Sequence, residues 1–296
     1  MKRVLFFIAV VFLAGCELEE VVTADSEDVV IVEMYLRTDV QTQVAVLHRT
    51  GVLDDSTTEV RTTRFDVSDG TGRVVRFVPG DDVLCGVAPN SHVHGTCYRS
   101  DPATPFRVTP GQTYDLRIVL AEGGIITGTT NVPADFELIR PTESICNLPP
   151  ATTFDIVWTA SPDAWVYASE INIRGLNEHL PLQVEDPLRL FGLSVSSSDT
   201  TISFPNEFGL FDRFENDLTE ALVLIQGGLP PGTVTDAVIA AADRNYVNWE
   251  RGGNFNPSGV VRIGSLRGAG FGVFGSLVAK HFRVHVGSTD PTLPPC

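Results

Sequence analysis

Positive charge is what this sequence has least of. Its 21 Lys and Arg stand against 37 Asp and Glu, a formal charge of -16 over 296 residues. Such a chain repels a phosphate backbone unless a basic patch is held apart, and none is visible, which argues against a nucleic-acid partner. Long apolar runs are missing except at the extreme N-terminus, which excludes a polytopic membrane protein. There is no Gly-x-Ser-x-Gly elbow and no His-Glu-x-x-His, so nucleophilic and zincin-type catalysis find no support. No Cys-x-x-Cys pair occurs, which speaks against a zinc site built on the cysteines. No repeat of fixed period is evident. What is present, 43% apolar, 20% charged and 8% aromatic residues with 26 Gly and 19 Pro, is globular composition and rules out disorder, collagen and coiled coil.

The N-terminus has the layout of a secretory signal peptide over residues 1–15: Met1-Lys2-Arg3, an apolar run from Val4 to Leu13, then Ala14-Gly15 before Cys16. An ordinary secretory signal would need no cysteine in that register. The run Leu13-Ala14-Gly15-Cys16 resembles the lipobox of bacterial lipoproteins, in which the cysteine carries a diacylglyceryl thioether and the new N-terminus is acylated. That resemblance implies Cys16 as a lipid attachment site, and palmitate-like chains there hold a protein firmly, each buried methylene adding about 0.8 kcal/mol. Removing residues 1–15 takes away two basic groups and no acid, so the mature chain is more acidic still. Residues 16–28, with Glu17, Glu19 and Glu20, read as an acidic tether that stands off from anionic phospholipid. Glu17 after the cysteine is compatible with outer-membrane sorting in the lipoproteins it resembles.

With Cys16 assigned to lipid, Cys85, Cys97, Cys146 and Cys296 remain. Four cysteines in an oxidising compartment read as two disulfides with three possible connectivities. Cys85 and Cys97 flank a loop-like segment rich in Gly, Pro, Asn, Ser and His, so we pair them, a closure worth about 3 kcal/mol. That leaves Cys146 with Cys296, a bond that pins the Pro-rich tail, 289–296.

Period-two alternation dominates the body. Val30, Val32, Met34 and Leu36 form one face, and Tyr114, Leu116, Ile118 and Leu120 alternate with Thr113, Asp115 and Arg117. Asp69-Gly70 lies between the strand-like runs Arg64–Val67 and Arg73–Val78 and signals a hairpin. Pro110-Gly111 and Glu122-Gly123-Gly124 turn the chain into and out of the Tyr114 strand. These short strands predict an immunoglobulin-like sandwich over residues 29–135. The proline-rich segment 136–150 reads as a linker, and residues 151–288 as a second β-rich domain. There, Trp158 to Tyr167 (Trp-x-x-Ser-Pro-Asp-Ala-x-x-Tyr) resembles the early hairpin of fibronectin-like sandwiches. Further strands are expected at Thr200–Phe204, Thr219–Gln226, Gly272–Ala279 and His281–Val286. One segment breaks the pattern: Ile239, Ala242, Tyr246 and Trp249 recur at three- and four-residue steps, which predicts an amphipathic helix over about 235–250, capped by Thr233 or Thr235. The fold class is therefore mainly β, two antiparallel β-sandwich domains of immunoglobulin or fibronectin type with one amphipathic helix in the second.

A family resemblance runs along this order. The lipobox cysteine is followed by Thr109-Pro110-Gly111-Gln112-Thr113-Tyr114-Asp115-Leu116, then Gly128-Thr129-Thr130-Asn131-Val132-Pro133. A second β region, a Tyr-containing helix and Gly268-Ala269-Gly270-Phe271-Gly272-Val273-Phe274-Gly275 complete it. The chain resembles a large family of outer-membrane lipoproteins best known from Bacteroidetes (domain of unknown function 4249), often encoded beside TonB-dependent receptors. The resemblance implies an envelope location and a receptor neighbour, and no activity. In physical terms Pro-Gly-x-Thr-Tyr is a turn feeding a strand, and the glycines around Phe271 and Phe274 let a strand pass close to neighbouring backbone.

Candidate chemistry is sparse. His92 and His94 are alternate residues that can share a metal, with Asp81 or Asp82 nearest in sequence, yet two ligands alone bind weakly and a solvated loop explains them. His281 and His285 alternate with Phe282, Val284 and Val286, as on the polar face of a strand. Asp66 and Asp69 lack the ligand alternation of a calcium loop. The glycines from Gly264 to Gly275 follow no βαβ unit, which argues against phosphate cradling. Phe204, Phe208, Phe211 and Phe214 either plug one end of a sandwich core or form a recognition loop. No cofactor is expected. These readings favour a non-enzymatic lipid-anchored envelope protein, an accessory or ligand-binding partner of an outer-membrane receptor, with a small-molecule or glycan ligand unidentified. Alternatives are an envelope hydrolase acting on glycan or peptide, and a structural or adhesive module.

Overall fold

A computed structural model describes residues 28–50, 59–85, 95–181, 183–205, 210–211, 216–252 and 262–296. The expected signal peptide, Cys16, nearly all of the tether, His92, His94, Phe208 and Phe214 lie outside the described residues, as does the side chain of Phe211.

The first half contributes β1 (Val30–Arg37), β2 (Val44–Arg49), β3 (Thr62–Asp69), β4 (Val74–Pro79), β5 (Thr96–Ser100), β6 (Thr113–Leu120) and β7 (Ile125–Asn131). Alternation decides their facing: Tyr114, Leu116, Ile118 and Leu120 of β6 are buried while Thr113, Asp115 and Arg117 are exposed. Asp69 makes the β3–β4 turn by accepting from the Thr71 and Arg73 N–H groups and the Thr71 hydroxyl. β4 joins two sheets, since Val74, Val75 and Arg76 pair with β3 while Phe77, Val78 and Pro79 pair with β5. The β1–β2–β5 layer and the β3–β6–β7 layer contribute Met34, Leu36, Leu47, Phe65, Val67, Leu116 and Ile118 to one core.

The second half contributes β8 (Leu138–Arg140), β9 (Ile145–Leu148), β10 (Phe154–Trp158), β11 (Val166–Arg174), β12 (Leu188–Leu193), β13 (Thr201–Phe204) and β14 (Leu210–Phe211). Then come α1 (Asn216–Ile225), β15 (Val234–Ala242), α2 (Arg244–Gly252), β16 (Leu266–Gly268) and β17 (Phe271–Val286). A three-stranded sheet, β8–β10–β13, supplies Phe154, Ile156, Trp158 and Phe204 to the same core cluster as Ile171, Ile173, Ile239 and Phe282 of the main sheet.

β17 unites the halves. Its residues Phe271 to Leu277 run parallel to β1, and Leu277 to His285 run antiparallel to β15, so one sheet continues from one sandwich into the other. β16 pairs with β7 and β9 runs parallel to the end of β17. The first sandwich therefore takes two strands from the C-terminal end of the chain. The fold is mainly β, and the two parallel pairs are exceptions to the antiparallel expectation. Gly272 sits where β17 meets β1: its φ is 130°, and a Cβ there would lie 2.1 Å from the Val32 carbonyl oxygen, so a side chain is excluded.

Several sequence expectations are corrected. Residues 235–242, expected as the first half of the helix over about 235–250, belong to β15, and the helix starts only at Arg244. The error has a clear cause. Ile239 and Ala241 face the sandwich core while Ala240 and Ala242 face α2, so this strand is covered on both sides and shows no alternation at its end. Thr219–Gln226, expected as a strand, falls in α1 and the turn after it; Ala221 and Ile225, four apart, are buried while Val223 and Leu224 between them are exposed. Two α-helices and one 3-10 turn, Leu176–Glu178, are thus present among the described residues. Segment 136–150, expected as a linker, carries β8 and β9. The Trp158–Tyr167 segment connects two different sheets and is no hairpin, although Trp158 and Tyr167 do touch, their ring centroids 5.2 Å apart. Gly272–Ala279 and His281–Val286 are one strand.

Candidate binding groove

The outer face of β7 is the floor of a groove. Thr127, Thr129 and Asn131 point outward, at every second residue, while Ile126 and Thr130 point into the core. Strand register sets their neighbours. Thr127 lies between Arg117 of β6 and Arg267 of β16, Thr129 opposite Asp115, and Asn131 opposite Thr113. One cavity of about 720 Å³ is lined by Ser68, Asp115, Arg117, Thr127, Thr129 and Arg267, among others. A second, of about 500 Å³, holds Thr113, Asn131, Asp163, Trp165, Asp243 and Arg244. Both include Thr129 and Asn245, so the two adjoin there.

The junction of the halves aims the far end. Asp163, in the left-handed region at φ 65°, turns the chain into β11 and leaves Trp165 49% exposed. The Arg244 guanidinium stands 4.9 Å from the Trp165 ring centroid, a cation–π contact. Arg244 opens α2, whose opposite face is fixed by buried Tyr246, Val247 and Trp249. Arg117, Arg244 and Arg267 have no ion-pair partner among the described residues.

Beneath lies Asp243, 3% exposed, the N-cap of α2. Its Oδ1 accepts from the N–H of Tyr246 at 2.9 Å and of Ser276 at 3.2 Å, and its Oδ2 accepts from Thr130 Oγ1 at 2.6 Å. Thr130 is also hydrogen-bonded to Ser276 Oγ at 2.9 Å. Asn245 Nδ2 donates to the carbonyls of Thr129 and Phe274, both at 2.8 Å. These bonds tie β7, β17 and α2 together under the groove. Burial pushes the Asp243 carboxyl up to about 6 against the pull of those donors. That value suits acid–base work, but both oxygens are engaged in the cap and the tie. The groove's own chemistry is recognition: guanidinium donors, hydroxyls, amides and one exposed indole.

The residues singled out from sequence are distributed elsewhere. Cys85 is bonded to Cys97, with Cα atoms 5.8 Å apart, and Cys146 to Cys296, at 5.0 Å. Asp81 accepts from the Val83 N–H within a turn. His281 lies 2.7 Å from Asp39 Oδ2 on the exposed face of β17. Despite burial, that contact and Arg37 hold the Asp39 carboxyl well below the usual range. No group of three metal-ligating side chains converges among the described residues. Phe204 is fully buried against Phe154, as a core plug. No local signal announces the meeting of Trp165, Arg244, Arg267 and Asn131: Arg267 reaches β7 through β16, Asn131 faces Thr113 across β6, and Trp165 meets Arg244 where β11 pairs with the end of β15. The signal for Asp243 was present: an Asp directly after an apolar run and before a helical stretch.

No protein-family model matches the chain, and no curated protein matches it. Similar solved structures include fibronectin(III)-like modules of Clostridium thermocellum CbhA, at 8% identity and TM-score 0.20, covering 88% of this chain and 96% of that one. A complex of immunoglobulin domains of Dpr11 and DIP-gamma shows 8% identity and TM-score 0.19 over 88% of this chain and 98% of that one. An I-band fragment of titin shows 9% identity and TM-score 0.17 over 88% and 66%. Scores this low add nothing to the fold described above.

Proposed function

We propose that the protein is a non-enzymatic, lipid-anchored component of the cell envelope that binds a ligand in the β7 groove and works beside an outer-membrane receptor. The observation that carries the ligand-binding part is the grouping, in two adjoining cavities, of arginines that have no ion-pair partner among the described residues with a half-exposed tryptophan, over an acid already committed to hydrogen bonds. The anchor rests on the lipobox-like run ending at Cys16, and the extracytoplasmic setting on that run together with two cystine bridges. The receptor follows from the family the sequence resembles.

Two measurements test this. Intact mass of protein from native cells should show residues 1–15 removed and Cys16 acylated; an unprocessed leader would overturn the anchor. Affinity capture from detergent-solubilised envelope should recover a TonB-dependent receptor. Capture of none under conditions that keep other envelope complexes together would overturn the partnership.

A further inference from the structure

Resting on the ligand-binding reading, we propose that the β7 groove takes an acidic oligosaccharide laid along the strand from Arg117 and Arg267 to Trp165. Charge favours this ligand. On a chain of formal charge -16, three guanidiniums without ion-pair partners among the described residues line these cavities, against two exposed carboxylates, Asp163 and Asp115, the second of which accepts from the Thr129 hydroxyl. A guanidinium fork matches a carboxylate or sulfate on a sugar ring. Arg117 and Arg267 flank Thr127 on neighbouring strands, about 10 Å apart, with Arg244 at the other end.

The spacing of polar groups favours it too. Thr127, Thr129 and Asn131 step along β7 at about 6.8 Å, so successive side chains meet successive parts of an extended chain of sugars. Thr113 Oγ1 donates to Asn131 Oδ1 at 2.7 Å, which aims the Asn131 amide donors at the groove. Asn245 uses its amide donors on two carbonyls, which leaves its oxygen as an acceptor. Trp165 closes the track with an apolar ring suited to stacking on a sugar face.

A strand-like peptide fits this floor poorly. β7 is paired with β6 along its length and with β16 at Ile126–Gly128, and the Thr129 carbonyl beyond β16 accepts from Asn245, so little main chain is left for a further strand and side chains carry the recognition.

The test is titration calorimetry on the full chain in detergent at low salt. The probes are short oligogalacturonates, sulfated galactan oligomers, neutral galactan oligomers of the same length, and oligoglutamate. The variants are the double substitution Arg117→Gln with Arg267→Gln, Trp165→Ala, and, as control, Arg189→Gln at an exposed position of β12. The expected result is binding of at least one acidic oligomer over the neutral one, weakened about tenfold or more by the arginine pair and by Trp165→Ala, and unchanged by Arg189→Gln. Salt should weaken it further. Carboxylated and sulfated probes separate the two sources of charge. Equal binding of neutral oligomers, or binding of oligoglutamate alone, overturns the acidic-sugar inference while leaving a ligand site. Groove variants that change nothing overturn the placement. Failure of every oligosaccharide while the receptor is still captured sinks this inference and not the partnership.

Discussion

β6 and β15 are strands of similar length with opposite legibility. β6 has a core on one face and water on the other, and its sequence alternates cleanly. β15 has the sandwich core on one face and α2 on the other, and its last four residues are all buried. Alternation therefore counts the covered faces of a strand. Where two faces are covered, an alanine-rich strand followed at once by a capped helix imitates one longer helix.

The two cystine bridges offer the largest test of how the halves differ. Cys146–Cys296 spans 150 residues and Cys85–Cys97 spans 12. On the chain-entropy model, removing the first by a double Cys→Ser change should cost about 5 kcal/mol and removing the second about 3 kcal/mol. Urea unfolding of both variants checks the order; equal losses would show that the tail contributes little to the long bridge.

A smaller effect should separate the two strands themselves. Ala240→Asp places a carboxylate at a 6% exposed site against Leu277 and Tyr246, and should cost about 3 kcal/mol or more. Asp115→Ala on the open face of β6 should cost less than about 1 kcal/mol, losing the Thr129 bond. Similar unfolding midpoints for the two would refute the two-covered-faces account of β15.

An effect smaller than that of Ala240→Asp concerns the tie between halves. Asp243→Ala should cost about 1 to 2 kcal/mol through the lost cap. The folded carboxyl holds its proton to about pH 6, above the 3.8 of an ordinary aspartate, so the native state binds more protons between those values. Its contribution therefore falls as pH rises through that window. Asp243→Asn should remove this loss, so that its stability gains on the wild type between pH 4 and 6 by urea midpoints. Parallel pH curves would contradict the burial of that acid.

Local signals were readable where local chemistry decided the outcome. Asp69-Gly70, the Glu122–Gly124 turn, the period of β6 and the polar face bearing His281 and His285 all follow from near neighbours. Pairings were not readable where strands far apart in sequence meet. Nothing near Phe271 announces that it will lie beside Ile31, and nothing near Arg267 announces Thr127. The groove is made from such pairings, so its residues stayed hidden while the cystine bridges, few in possible connectivity, did not. The glycines around Phe271 gave the one hint of close backbone approach, and Gly272 is where it occurs.

β17 also decides whether the early sandwich is closed. β1 has β2 on one edge, and its other edge is covered by Phe271–Leu277, far along the chain. Without Phe271–Leu277 one edge of β1 is open, and without Leu266–Gly268 so is the edge of β7 at Ile126–Gly128. The early sandwich is therefore closed by strands that the late half lends it.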